Sequence, residues 1–163
     1  LAAQGAVNWV TETPPNGASR WRGEAFKFTG QVSLTRDFSD RLGLALVPGV
    51  TINPAERVDG EAALLTLGLG ARWTFYQNLA LVAEWVPIVS GYTRTRTFGN
   101  DIRFDTWGGG LEITTGGHVF QIILTNSVGL TSDQYLRGGD LDIRNALEGD
   151  LRLGFNIFRI LNF

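Results

Sequence analysis

The chain has 163 residues, with Lys+Arg 14 against Asp+Glu 16 and a formal net charge of −2, which suits one domain and gives no basic footprint for nucleic acid. No Cys and a single His are present, so a disulfide framework, a thiolate zinc site and a multi-histidine metal centre are excluded. Charged residues make up 18 %, below the roughly 25 % usual in soluble domains, and no segment approaches the run of about 18 apolar residues that a transmembrane helix needs.

The chain enters a strand pattern at once. Leu1-Ala2-Ala3-Gln4 carries no charged leader, so a processed chain or a piece of a longer one is expected. Eight strand-like segments are read, near 1–12, 21–37, 41–52, 62–76, 80–92, 101–115, 118–130 and 148–161. In the second, Phe26, Phe28, Val32 and Leu34 share one face, while Lys27, Thr29, Gln31, Ser33 and Thr35 share the other. In the third, Leu42, Leu44, Leu46, Val50 and Ile52 oppose Gly43, Ala45, Gly49 and Thr51. The fourth alternates most cleanly: Leu65, Leu67, Leu69, Trp73 and Phe75 against Thr66, Gly68, Gly70, Arg72 and Thr74. A tilted strand of that length covers roughly 25 Å, the height of the apolar band of an outer-membrane barrel. The sixth is less regular, with Arg103, Asp105 and Trp107 in one phase, which predicts a bulge or a close-packing site at Gly108-Gly109-Gly110. The last sets Leu151, Leu153, Phe155 and Ile157 against Arg152, Gly154 and Asn156.

Short and long connections alternate. Tight turns fall at Phe38-Ser39-Asp40, Gln77-Asn78-Leu79 and Gly116-Gly117, the last suited to a hairpin needing positive φ. Long connections cover about 13–20, 53–61, 93–100 and 131–147, with Pro14-Pro15-Asn16-Gly17 and Arg137-Gly138-Gly139-Asp140 as turn signals. Outer-membrane barrels alternate in this way, with short turns periplasmic and long loops outside, which puts both chain ends on the periplasmic side. A three-residue turn at 77–79 predicts Arg72 opposite Glu84, Trp73 opposite Ala83 and Phe75 opposite Leu81. A two-residue turn at 116–117 predicts Glu112 opposite Gln121 and Ile113 opposite Phe120.

Alternation alone does not orient a strand, since a soluble sandwich or lipocalin-like barrel shares the period. The polar face decides. It carries mostly Gly, Thr, Ser, Gln and Ala with occasional charges of both signs, where a water-facing sheet usually carries frequent Lys and Glu. The expected fold is therefore all-β: a transmembrane antiparallel up-and-down β-barrel. Phe28, Val32, Leu44, Leu46, Leu67, Leu69, Trp73, Leu81, Phe120, Leu153 and Phe155 are expected to face lipid. Lys27, Gln31, Arg72, Glu84, Glu112, Gln121 and Arg152 are expected to face the lumen. Trp21, Phe26, Phe75, Tyr76, Tyr92, Phe158 and Phe163 fit interfacial girdles.

The run Thr114-Thr115-Gly116-Gly117-His118-Val119-Phe120-Gln121-Ile122-Ile123-Leu124-Thr125-Asn126-Ser127 is distinctive, with Gly129-Leu130 after it and Arg152-Leu153-Gly154-Phe155-Asn156-Ile157-Phe158-Arg159 further on. Together with Arg36-Asp37-Phe38-Ser39-Asp40-Arg41-Leu42 and Leu79-Ala80-Leu81-Val82-Ala83-Glu84-Trp85, it resembles an uncharacterised family of bacterial outer-membrane β-barrel proteins common in Bacteroidetes-type lineages. That resemblance implies the C-terminal part of a barrel of roughly twelve strands, or a shortened eight-stranded relative. It carries no catalytic residues to transfer.

His118 with Asn126 and Ser127 suggests a barrel-embedded lipid hydrolase, but strand spacing sets the imidazole about 25 Å from the other two, so no catalytic residue is expected. Glu61, Asp101, Asp105, Asp133, Asp140, Asp142 and Asp150 lie in or beside the long connections without a calcium-loop spacing and read as solvated loop acids. Neither a cofactor nor a metal is expected. The C-terminal Phe163 after an alternating strand partly matches the signal read by the barrel-assembly machinery, with Arg159 where an apolar residue is expected. The expected role is non-enzymatic, as a structural or docking component of an envelope assembly or a small passive channel. Expected partners are outer-membrane lipid and lipopolysaccharide, the barrel-assembly machinery and other envelope subunits. A soluble β-sandwich or lipocalin-like binding protein is the alternative.

Overall fold

The structure, a computed structural model, describes residues 1–11, 21, 23–54, 63–91, 96–98, 101–129 and 131–159. Pro14-Pro15-Asn16-Gly17, Glu61, Tyr92 and the terminal Phe163 lie outside the described residues. The strands are β1 (Ala2–Trp9), β2 (Phe26–Asp37), β3 (Leu42–Ile52), β4 (Ala63–Tyr76), β5 (Leu79–Val86), β6 (Ile88–Ser90), β7 (Arg96–Phe98), β8 (Asp101–Arg103), β9 (Thr106–Thr115), β10 (His118–Thr125) and β11 (Arg152–Arg159). A short helix α1 (Ser132–Leu136) and 3-10 turns at Gly23–Ala25 and Ile143–Glu148 complete the described elements.

One antiparallel sheet runs β1-β2-β3-β4-β5-β9-β10-β11, each strand beside its sequence neighbour apart from the β6–β8 excursion. The result is a half-barrel whose edge strands β1 and β11 do not pair with each other. Strand β6 continues along β4, and β7 and β8 form a separate hairpin. The three tight turns fall at or beside the expected places, between β2 and β3, β4 and β5, and β9 and β10, although β5 already begins at Leu79.

Local chemistry sets the ends of the segments. Pro87 has no N–H to give a ladder, so the fifth segment divides into β5 and β6, with Leu67 N donating to Pro87 O at 3.1 Å. The sixth segment divides at Phe104-Asp105, where Phe104 bridges to Gly139 and the Asp105 carboxylate accepts from Ile88 N at 3.2 Å. That break accounts for the odd phase of Arg103, Asp105 and Trp107. No bulge occurs at Gly108-Gly109-Gly110, which pairs in unbroken register with Thr125, Leu124 and Ile123 on β10 and with Glu84, Ala83 and Val82 on β5. The close-packing reading of those glycines holds: a Cβ on Gly110 would collide with the Ile122 carbonyl oxygen. In the connection between β10 and β11, predicted as a plain loop, α1 and the Ile143–Glu148 turn form instead.

Register agrees with expectation where the turn is a true two-residue hairpin. Gly116 and Gly117 have φ of +54° and +80°, and Glu112 pairs with Gln121 and Ile113 with Phe120. At the other turn the expectation fails. The connection is Gln77-Asn78, and a register shift between Thr74 and Tyr76 places Arg72 opposite Val82, Trp73 opposite Leu81 and Glu84 opposite Gly70. The shorter turn and the bulge each slide the pairing by one residue; the combined slip is even, so the faces are preserved.

Those faces sort the described strand residues singled out above. Following the register, Lys27, Gln31, Arg72, Glu84, Glu112, Gln121 and Arg152 share one face with α1, here termed inner. Phe28, Val32, Leu44, Leu46, Leu67, Leu69, Trp73, Leu81, Phe120, Leu153 and Phe155 share the outer one. Phe158 differs from its girdle assignment, because it pairs with Val119 on the inner side. Trp9, Trp21 and Phe26 cluster at the rim of the long connections, Trp9 and Trp21 stacking at 4.3 Å; Trp73 and Phe75 meet at 6.0 Å near the short turns. Most of the buried residues lie on the inner face towards the long-connection end, among them Leu64, Val86, Ile88, Lys27, Thr51, Thr66 and Thr106, with Leu136 of α1.

Gly110→Ala is expected to cost about 1–3 kcal/mol, because overpacking against a neighbouring backbone has no side chain to yield. Gly109→Ala, whose Cβ would meet nothing nearer than Val82 O at 3.7 Å, should cost less than about 0.5 kcal/mol. Urea-induced unfolding of the refolded chain measures both.

Candidate functional site

The inner face carries two arrangements, one at each end of the half-barrel. At the long-connection end, residues 126–129 and 131–151 fold back over the sheet and plug it. Asn126 anchors this segment where β10 stops. It is fully buried; its Oδ1 accepts from Trp107 N at 3.0 Å, and its Nδ2 donates to Asp105 O and Leu141 O, both at 3.0 Å. A Cβ on Gly139 would run into the Asn126 amide, so a glycine is needed for the return chain to pass this close.

Helix α1 then crosses the inner face. Asp133 accepts from Asn8 Nδ2 on β1 at 3.2 Å, and Ser132 accepts from Gln4 Nε2 at 3.5 Å. From the opposite wall, Thr106 Oγ1 on β9 donates to Tyr135 O at 2.9 Å, and the Tyr135 hydroxyl donates to Glu84 on β5. Burial, reinforced by the adjacent Glu84 carboxylate, raises the Tyr135 phenol far above its ordinary value, so it stays a neutral donor throughout the working pH range. At the exit, Arg152 on β11 grips Asp140 with two parallel bonds of 2.7 Å, the fork geometry that suits a carboxylate. Asp142 caps the Ile143–Glu148 turn through Arg144 N at 3.0 Å, and hydrogen bonds from the Arg144 guanidinium and N–H lower its carboxyl below the usual range.

At the short-turn end the inner residues are small, and they leave an open hollow of about 520 Å³ lined by Asp37, Ala45, Gly70, Arg72, Glu84 and Gln121. A polar chain links two of its lining residues, Arg72 and Gln121. Arg72 Nε donates to Glu112 Oε1 at 2.8 Å, reaching over β5, while Gln121 Nε2 donates to Glu112 Oε2 at 2.8 Å and Arg72 Nη1 to Thr74 Oγ1 at 2.8 Å. The carboxylate of Glu112, nearly buried, thus has both oxygens occupied. The size and mixed lining of the hollow match those of a small-ligand site.

The sequence placed Arg72, Glu84, Glu112 and Gln121 around one space, and the structure brings them there with different partners: Arg72 takes Glu112, and Glu84 takes Tyr135. Lys27 and Gln31 lie on the same face towards the plug, Lys27 only 1 % exposed. His118 starts β10 beside the Gly116-Gly117 turn and stacks on Phe120 at 6.2 Å on the outer side. Asn126 and Ser127 sit beyond the opposite end of that strand, so the three do not form one site. The roles of Asn126, Asp133, Tyr135 and Asp140 as anchors were missed. The available signal was an Asn at the point where the alternation of the seventh segment stops, followed by the small Ser127 and Gly129.

A family model described as a membrane bound beta barrel domain (DUF5777) matches residues 1–161. No curated protein and no solved structure matches the chain.

Asn126→Ala removes the anchor and leaves buried backbone groups unpaired, at about 1–3 kcal/mol each. The expected outcome is protease cleavage within 127–151 while the sheet stays folded. Ser127→Ala, which among the described residues loses the bond from Gly129 N, should stay resistant; limited proteolysis of the two variants side by side makes the comparison.

Proposed function

Since the chain belongs to the family of membrane-bound beta barrel domains, we propose that it spans the bacterial outer membrane as a non-enzymatic structural and docking component of an envelope assembly. The outer-face leucines and aromatics face lipid, and the inner polar residues face the lumen. Short turns and both chain ends lie on the periplasmic side, with the plugged end outside; the alternating connection lengths support this orientation. Lipopolysaccharide surrounds the outer rim, the barrel-assembly machinery inserts the chain, and other envelope subunits dock on it. A soluble sandwich or lipocalin-like protein does not fit a membrane-bound family.

The single observation that carries the docking reading is the plug. A segment tied to β1, β5, β9 and β11 obstructs the long-connection end, so the resting molecule offers walls and rims rather than a passage. A small passive channel is the second reading, favoured by the hollow at the opposite end. A hydrolase is not favoured, because Asn126 spends its amide on backbone partners and His118 stacks outward on Phe120.

Planar-bilayer recording of the full-length protein tests the choice. The native protein is expected to be electrically silent, and an Asn126→Ala, Asp140→Ala variant to show openings; steady porin-like conductance of the native protein would defeat the docking role. For the membrane orientation, Leu46→Arg puts a cation on the lipid face at a cost of about 2–4 kcal/mol. It should abolish the folded band on unheated gels. Ala45→Arg, one residue away but lining the hollow, should keep that band.

A further inference from the structure

The outer face is sorted by charge as well as by polarity. Among the described residues of β1–β5 and β9–β11 that face outward, Arg36 and Arg159 are the only charged side chains, joined by the imidazole of His118. All three lie at the short-turn rim. Arg36 stands one residue from the end of β2, His118 opens β10 beside Gly116-Gly117, and Arg159 ends β11 directly opposite His118. The outward residues towards the long connections, such as Trp9, Ile52, Leu65, Trp85 and Trp107, are uncharged. Resting on the barrel reading above, we propose that the short-turn rim binds anionic phosphodiester headgroups, those of phosphatidylglycerol-type lipid in the leaflet on that side.

The counter-charge is what points outside the chain. On the inner face Arg72 has the Glu112 carboxylate at 2.8 Å, and Arg152 has Asp140 at 2.7 Å. Neither Arg36 nor Arg159 takes part in an ion pair among the described residues, and both are exposed. Arg36 lies over the ring of Phe38, 5.2 Å from its centroid, a cation–π contact that holds the guanidinium without neutralising it. Asp37, next along β2, is on the inner face, where it lines the hollow. An arginine on a lipid-facing strand carries its head to the nearest interface. The negative charge it meets there is phosphate.

The β10–β11 pair also offers a wall for the rest of the lipid. Directly opposed residues have Cβ atoms about 4.5–5.5 Å apart, so His118 and Arg159 are within reach of one phosphodiester, and the guanidinium presents the parallel donors that suit it. Towards mid-sheet, His118, Phe120 and Phe155 form a run of rings with centroids 6.2 Å and 6.5 Å apart, and Ile157 stands opposite Phe120. Phe155 and Ile157 are exposed on this face. A charged rim over an aromatic and aliphatic wall matches a molecule with an anionic head and an apolar tail.

Native mass spectrometry of the full-length protein in detergent tests the site, with phosphatidylglycerol and phosphatidylcholine added in equal amounts. Bound phosphatidylglycerol is expected to exceed bound phosphatidylcholine by about fivefold, the size of one arginine's attraction to an anionic lipid surface. The Arg36→Gln, Arg159→Gln variant should bind the two lipids equally. Arg36→Lys, Arg159→Lys keeps the charge and should keep most of the preference, and Arg144→Gln, in the long connection between β10 and β11, should leave it unchanged. Equal binding by the native protein, or an undiminished preference in the glutamine variant, would overturn the proposal. A stronger preference for lipopolysaccharide than for phosphatidylglycerol, lost in the same variant, would overturn the assignment to this leaflet. The heat-dependent gel shift separates the two layers: equal binding by a protein that shifts sinks only the headgroup site, and a chain with no shift sinks the barrel reading as well.

Discussion

A sheet that crosses a bilayer must satisfy every backbone N–H and C=O within protein, since hydrocarbon offers no partner. Much of this molecule follows from that constraint. Each strand passes its bonds to the next in sequence, because a hairpin neighbour is the nearest source of a matching ladder. The two prolines inside strand pattern show how narrow the tolerance is. Pro48 sits in β3 where the β2–β3 register is interrupted, between Gln31 opposite Gly49 and Leu34 opposite Leu46. Pro87 ends β5, and β6 resumes pairing along β4 at once. At both prolines the pairing recovers within a few residues.

The same constraint divides the interior. A barrel with its apolar side chains outward has little hydrophobic material left for a core, so the inner face is held by small residues and polar contacts. At the long-connection end this face is covered by the chain itself, through Asn126, Asp133, Tyr135 and the Arg152–Asp140 pair. At the short-turn end Ala45 and Gly70 leave space, and the chain from Arg72 through Glu112 to Gln121 braces β4, β9 and β10 across it. A packed and pinned half thus abuts an open, charged half. Tyr135 joins them, seated in the plug with its hydroxyl on Glu84 at the lining of the hollow.

Much of the fold was legible from side-chain period alone. Strands, tight turns and the partition of Leu67, Trp73 and Phe155 from Arg72, Gln121 and Arg152 all follow from period-two alternation, and one-residue slips are forbidden because they would reverse both faces. Two-residue slips carry no such penalty. The shorter Gln77-Asn78 turn and the one-residue bulge between Thr74 and Tyr76 together moved Arg72 from Glu84 to Val82 without disturbing its face, and left it to reach Glu112 over the intervening strand. The plug was illegible for a different reason. Its helix has only five residues, too few for a periodic signal, and its ties to β1 join positions more than a hundred residues apart, such as Asn8 and Asp133.

What the sequence determined by itself is the membrane-suited wall: number and order of strands, faces, and register across Gly116-Gly117, where a two-residue turn leaves a single geometry. These are local properties, written in neighbouring side chains and turn chemistry. Only the tertiary structure decided which charges meet, what fills the lumen and where the sheet is left open. Those outcomes depend on bulges, on close approaches such as Gly139 against Asn126, and on contacts between strands far apart in the chain. Short-range alternation is the same for all of these arrangements, so it carries no information that distinguishes them.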